Sequence, residues 1–394
     1  MSCKTDNFIK NAINLVEIPK IVKNQGLVRS NFPNLSNSLD ITKMDAAESA
    51  ITSWPNYSST PLHKLGNIAE ICNVKEIYYK DESKRFDLGS FKALGGAYAV
   101  ASLVEAHKKK GRDPLELTVT TATDGNHGRS VAWGASLAGC NSKIYIHGAV
   151  SEIRESVMAS FGAEVIRVEG NYEASLAKCK SDAEVNGWVI VSDTSWEDYR
   201  ETPLQIMAGY SVMAREIIKE MKDERPTHAF LPVGVGGLAA GVVAPFWQDM
   251  GSNLFKAISV ESHMSPCFQK SIEHQKPTLF NITEETLMAG LSCGEVSDIA
   301  WEILLPTLSY SLSINDSGVS AWMRIMADGL ASGFSIEAGE CSVAGLAALM
   351  AISKDKILKD QLEINEDSVI LLIGTEGATD PLLYRDLLEQ GNLR

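Results

Sequence analysis

The chain of 394 residues has an odd number of cysteines, seven, at positions 3, 72, 140, 179, 267, 293 and 341, and none form a CxxC pair. That usage argues against a disulfide framework or a structural zinc site, so no metal is expected, and it suits a reducing compartment. Basic residues are outnumbered: 36 Lys and Arg face 50 Asp and Glu, for a net charge of −14. The one basic run, Lys108-Lys109-Lys110, reads as a solvated helix end, so no nucleic-acid partner is expected. Residues 1–23 lack the compact apolar run of a secretory signal. The uncharged stretch 226–248 is interrupted by prolines and clustered glycines, which fits a buried strand, loop and helix better than a membrane span. Low-complexity segments and internal repeats are also missing. These absences lead us to expect a cytoplasmic globular protein, long enough for two domains or one large α/β domain.

What is present is an alternation of strand-like and helix-like segments. Residues 1–59 show few clear periods and read as an extended arm with short helices, packing on the body or on a second subunit. The Thr60-Pro61-Leu62 start predicts a helix to residue 72. Strands are expected at 76–80, 118–123, 143–147, 164–168, 188–192, 229–233, 256–261 and 368–373. Helices are expected at 90–100, 126–137, 152–161, 172–185, 202–222, 238–246, 297–305, 316–327, 338–353 and 381–390. This is the pattern of an α/β protein with doubly wound, mainly parallel sheets. Residues 262–295 have weak periodicity and read as a mobile covering segment, in which Cys267 and Cys293 could come close enough to link.

Four stretches carry chemistry. The chain is organised around the first, residues 81–96, in which Ser90-Phe91-Lys92 opens a helix before Gly95-Gly96. A lysine in the first helical turn, beside an aromatic ring, sits against the helix dipole. Its pKa should fall and its amine become a Schiff-base nucleophile. The alternative is a surface lysine snorkelling past a phenylalanine. The second stretch is Thr123-Asp124-Gly125-Asn126-His127-Gly128, at a strand-to-helix junction. Its amides, hydroxyl and asparagine suit a substrate carboxylate, although a polar turn would look the same. The third is Gly234-Val235-Gly236-Gly237-Leu238, whose amides can converge on one phosphate group. Its spacing is neither a dinucleotide fingerprint nor a Walker loop, and close helix–strand packing is the alternative. In the fourth, Gly374-Thr375-Glu376-Gly377, the Thr375 hydroxyl could face a ring nitrogen or simply cap a helix.

The order of these four motifs, over residues 60–380, resembles the tryptophan synthase β-like (fold type II) pyridoxal-phosphate enzymes. Within that group the motifs at 80–86, 91–96 and 123–128, with Asp193-Thr194-x-Trp196-Glu197, are similar to the diaminopropionate ammonia-lyases. The resemblance implies two doubly wound domains, 1–92 with 201–394 as the large cofactor-binding one and 93–200 as the small one, with the active site in the cleft. It implies pyridoxal 5'-phosphate as cofactor, a small amino-acid substrate and a homodimer. By motif, Lys92 is the Schiff-base lysine, Asn126 contacts the ring oxygen, residues 234–238 line the phosphate, and Thr375 partners the pyridine nitrogen. Asp124 and Asp193 serve in catalysis, and Thr123, Gly125 and His127 join Asp124 in holding substrate, His127 more as a loop residue than as a base. The implied reaction is α,β-elimination of ammonia from D- or L-2,3-diaminopropionate. A serine or threonine dehydratase, a β-replacing synthase and a non-catalytic homologue remain open.

Asp124 is the discriminating residue. Serine and threonine dehydratases usually carry a small neutral residue before this Gly-Asn pair. A carboxylate beside a carboxylate-binding loop suits a proton shuttle, or holds a second ammonium. Cys341 replaces the serine expected in the family's Gly-Glu-Ser segment, which puts the local helix-cap hydrogen bonding in question.

Overall fold

Runs such as Val-Ile-Leu-Leu-Ile and Ala-Phe-Leu-Pro are apolar without alternation, which suits strands covered on both faces. A computed structural model describes residues 3–18, 20–28, 38–123 and 125–392 and forms them into two sheets. The strands, in chain order, are β1 (Ile21–Lys23), β2 (Leu62–Lys64), β3 (Glu76–Asp81), β4 (Thr118–Ala122), β5 (Asn141–His147), β6 (Glu164–Val168) and β7 (Val189–Ile190). They continue with β8 (His228–Pro232), β9 (Lys256–Ser262), β10 (Leu308–Ile314) and β11 (Val369–Gly374). The larger sheet has the order β1-β10-β9-β8-β11-β3-β2, parallel except for its two edge strands. The smaller sheet is wholly parallel, in the order β6-β5-β4-β7. This is the mainly parallel α/β class expected from the sequence.

Several local expectations need correction. Residues 62–72 are not one helix. Leu62–Lys64 pairs antiparallel with β3, the Leu65 amide donates to Ile77, and the helix is confined to Gly66–Cys72. Edge pairing outcompetes a helix start that had only Pro61 in its favour. Strand β10 escaped notice because its serines mask the pattern. They are buried, and the Ser259 hydroxyl donates to that of Ser311 at 2.7 Å. The expected covering segment contains the helix Cys267–His274, whose Cys267, Phe268 and Ile272 lie in the core. The helix expected from 338 begins only at Ala344. The N-terminal arm packs on its own chain, with Ile9, Ala12 and Val16 in one apolar cluster with Val319 and Trp322.

A charged network fixes the end of β3. Arg85 sends Nε and Nη2 to Glu82 at 2.8 Å each, and Nη1 and Nη2 to Glu216 at 2.8 and 2.7 Å. Lys80 reaches Glu216 at 2.7 Å, and the Thr60 hydroxyl donates to Glu82 at 2.6 Å. Two cations therefore balance two carboxylates out of water, with Lys80 and Glu82 fully buried. Beyond this network, Phe86 and Asp87 take φ of 53° and 58°, a region non-glycine residues rarely occupy, just before the Lys92 turn. Replacing Arg85 by Met leaves two buried carboxylates with a single cation. We expect it to cost about 3–5 kcal/mol in urea unfolding, and Arg85→Lys to recover only part, because an ammonium cannot fork. Unchanged stability in Arg85→Met would show that the network is not holding this turn.

Candidate active site

Lys92 is the first residue of the helix Lys92–Lys109. The turn before it is docked on the end of β11: the Phe91 amide donates to Thr375 O at 3.0 Å, and Ser90 bridges Glu376. The Ser90 hydroxyl accepts from the Lys92 amide at 3.3 Å, so its capping role is weaker than the sequence suggested. The Lys92 ammonium lies 5.7 Å over the Phe91 ring and forms an ion pair with Asp193, which follows the short strand β7. Only 22% and 23% of the two side chains is exposed.

The electrostatics reverse one sequence expectation. Burial does oppose the Lys92 charge, but the Asp193 carboxylate outweighs it and holds the lysine pKa above its ordinary value. Burial likewise pushes Asp193 up, and the lysine overrides it, so the acid lies well below the usual carboxylate range. The Phe91 ring and the helix dipole, invoked from sequence to lower the lysine pKa, are weaker than a directly contacting carboxylate.

The Asp193 segment is tethered to the glycine loop through two serines. The hydroxyls of Ser195 and Ser297 are 2.7 Å apart, the Ile299 amide donates to Ser195 Oγ at 2.9 Å, and the Ser297 amide donates to Val235 O at 2.9 Å. The motif read position 195 as variable, so sequence reasoning missed this tie. The loop itself joins β8 to the helix Gly237–Met250, which has no acidic residue in its first turn. Gly236 has φ +101°, and a Cβ there would lie 2.9 Å from both Ala300 Cβ and Phe268 Cε2. The Leu238 side chain packs into the core, which leaves only its amide for the loop. Cys267 and Cys293 form no disulfide and lie behind this loop. Cys267 Sγ donates to Gly234 O at 3.8 Å, and a Cβ on Gly234 would be 2.8 Å from Cys293 Sγ. They pack the loop rather than link a covering segment.

The Asn126 loop comes from the smaller sheet, after β4. Thr123 Oγ1 accepts from the Gly125 and Gly128 amides at 3.0 and 3.1 Å, so the hydroxyl braces the loop and consumes two of the amides expected to meet substrate. Asn126 begins the helix Asn126–Ala138. Asp124 lies outside the described residues. His127 Nε2 is 2.8 Å from Val191 O, a contact that requires the proton on Nε2 and leaves Nδ1 buried without a partner. Burial lowers the His127 pKa, Asp193 pulls the other way, and Lys92 adds to the lowering.

Thr375 is buried at the end of β11, with its hydroxyl 3.2 Å from that of Ser342. Ser342 also donates to Glu376 O at 2.5 Å and accepts from the Glu376 amide at 2.7 Å. The cap put in question by Cys341 is supplied by a carboxylate, because the Cys341 amide donates to Glu376 Oε1 at 3.0 Å. Sequence reasoning also missed Tyr210, on the helix Glu201–Met221. It has 1% exposure, its ring centre is 4.8 Å from that of Phe91, and its hydroxyl has no partner. Within that uncharged, apolar helical stretch it reads as ordinary core.

The residues present fit a phosphorylated carbonyl cofactor. A cradle of amides with no opposing acid can take the phosphate, an amine can hold the carbonyl carbon, and buried hydroxyls at Thr375 and Tyr210 can meet polar ring atoms. Among the described residues no cluster of His, Cys, Asp and Glu suits a metal ion, and no helix is long and apolar enough to cross a membrane.

Comparison with known proteins agrees with this geometry. The family model "Pyridoxal-phosphate dependent enzyme" matches residues 54–376. The diaminopropionate ammonia-lyase of Escherichia coli is 35% identical over 353 residues, 85% of this chain and 88% of that one. A crystal structure of the Escherichia coli enzyme, in complex with an aminoacrylate-PLP azomethine reaction intermediate, superposes with a TM-score of 0.86 at 34% identity. It covers 96% of this chain and 98% of that one. The biosynthetic L-threonine dehydratase of Salmonella typhimurium is more distant, 28% identical over 67% of this chain and 48% of its own length. The chain therefore belongs to the pyridoxal-phosphate dependent enzymes and, within them, to the diaminopropionate ammonia-lyase family.

Proposed function

We propose that this protein removes ammonia from 2,3-diaminopropionate with pyridoxal 5'-phosphate, giving pyruvate and a second ammonia after hydrolysis. The observation that carries the reading is the buried Lys92–Asp193 pair, its aspartate segment tethered to the glycine loop, in a chain of the diaminopropionate ammonia-lyase family. Two domains frame the site in this reading: 1–92 with 201–394 around the larger sheet, and 93–200 around the smaller.

When bound, the cofactor supplies an electron sink for the pair released at the substrate α-carbon. The amides of Gly234, Val235, Gly236, Gly237 and Leu238 hold its phosphate. The Thr375 hydroxyl would partner the ring nitrogen, and a hydroxyl, unlike a carboxylate, would not hold that nitrogen protonated. Asn126 meets the ring oxygen. The Asn126 loop, with Thr123, Gly125 and His127, orients the substrate carboxylate. Lys92 Nζ would be the amine that holds the cofactor's carbonyl carbon, and it is the base placed to take the substrate α-proton. Asp193 stabilises the ammonium that Lys92 then becomes, which offsets the burial opposing that charge and makes Nζ a stronger base. The proton is then in place at Nζ for the departing amine. Asp124, adjoining the carboxylate loop, is assigned the base role for the opposite enantiomer.

The direct test is ammonia and pyruvate release from each pure enantiomer of 2,3-diaminopropionate, set against serine and threonine. Preference for a hydroxyamino acid would favour a dehydratase. Lys92→Ala should abolish turnover and leave the fold intact. Gly236→Asp should weaken pyridoxal-phosphate binding in equilibrium titration by at least about tenfold, since the new carboxylate opposes the phosphate and its Cβ has no room. Equal affinity would reduce the loop to packing. Asp124→Asn should remove activity on the D isomer and lower it less on the L isomer. Asp193→Asn should lower both, because it supports Lys92 on either path. Proportional losses on both isomers in Asp124→Asn would move the second base elsewhere.

A further inference from the structure

We infer that Glu261 is a positioning residue for the cofactor phosphate, because its carboxyl group fixes the start of the helix that backs the glycine loop. The inference rests on the reading of residues 234–238 as the phosphate cradle. Glu261 stands near the end of β9 and is fully buried. Its partners are amides: the Phe268 amide donates to Oε1 at 2.7 Å and the Gln269 amide to Oε2 at 2.6 Å. Both amides belong to the first turn of the helix Cys267–His274, where backbone donors have no partner within the helix. Pro266, just before that turn, supplies no side-chain cap. Glu261 therefore caps, from a neighbouring strand, a helix that does not cap itself.

A serine or asparagine at position 266 would satisfy the turn locally, without burying an acid. What a carboxyl group on β9 adds is a fixed distance between the helix and the sheet. The glycine loop is built on the same strand end, since the Val233 amide, at the start of the loop, donates to Val260 O at 2.9 Å. The capped turn then meets the loop directly. Cys267 Sγ donates to Gly234 O at 3.8 Å, and the Phe268 ring fills the space beside Gly236, leaving no room there for a Cβ. Glu261 thus joins strand, helix and cradle through contacts that run from its two oxygens to Gly234 and Gly236. Burial pushes its carboxyl group up to about 8 against the pull of the two amides, and in either protonation state both oxygens can accept. A glutamine at 261 offers one acceptor and turns its NH2 group on the other amide.

The test is equilibrium titration of the cofactor-free protein with pyridoxal 5'-phosphate and, separately, with pyridoxal, which lacks the phosphate. Glu261→Gln should weaken pyridoxal-phosphate binding by about tenfold, the worth of one hydrogen bond, and leave pyridoxal affinity within about twofold of the parent. Glu261→Asp keeps two acceptors on a shorter arm. It should show the same selective loss to a smaller extent, and it serves if the glutamine variant does not fold. Equal losses for the two ligands, or a lower Tm with unchanged pyridoxal-phosphate affinity, would overturn the inference and leave Glu261 as a helix anchor. Gly236→Asp in parallel separates the two levels. If that variant binds pyridoxal phosphate normally, the cradle reading fails and this inference with it. If it binds weakly while Glu261→Gln binds normally, only this inference fails.

Discussion

A lysine ammonium whose turn hangs on the larger sheet meets an aspartate carboxylate that follows a strand of the smaller one, and neighbouring hydrogen bonds keep them there. Lys92 is set by β3 and β11, because the turn before it hangs on Thr375 and Glu376. Asp193 follows the smaller sheet, but Ser195 and Ser297 bind its segment to the glycine loop of the larger one. A cavity with either charge alone would be costly, and together they hold each other ionised. The arrangement suits a reaction that must lift a proton from carbon and return it to a leaving amine.

The second requirement is stiffness at the entry to Lys92. Phe86 and Asp87 adopt unfavourable backbone angles, and the Lys80, Glu82, Arg85 and Glu216 network anchors the chain just before them. Arg129 adds a clasp after them, donating to Leu88 O and Thr379 O at 2.9 Å each. Because Arg129 stands on the helix after β4, this clasp also ties the smaller sheet's helix to the segments flanking β3 and β11.

Much of this was legible in the sequence because it is local. The Gly234–Gly237 spacing, the Ser90-Phe91-Lys92 turn and the apolar strands β8 and β11 each follow from a few neighbouring residues. What escaped is long-range. Nothing near Tyr210 in sequence marks it as a site residue, since its relation to Lys92 exists only after two helices pack. The rise in the Lys92 pKa depends on Asp193, 101 positions away, while the local helix dipole pointed the opposite way. The serines of β10 hid a strand because their partners lie on β9. Asp124 stood out in the sequence and lies outside the described residues, so its role rests on chemistry alone.

The account turns on Lys92 being the one lysine that holds the cofactor. The most direct measurement is to load the protein with pyridoxal phosphate, reduce with borohydride, digest it and map the modified lysine by mass spectrometry. The account requires the stable pyridoxyl adduct on Lys92, and its loss in Lys92→Ala. An adduct on any other lysine, or equal labelling in that variant, would contradict it.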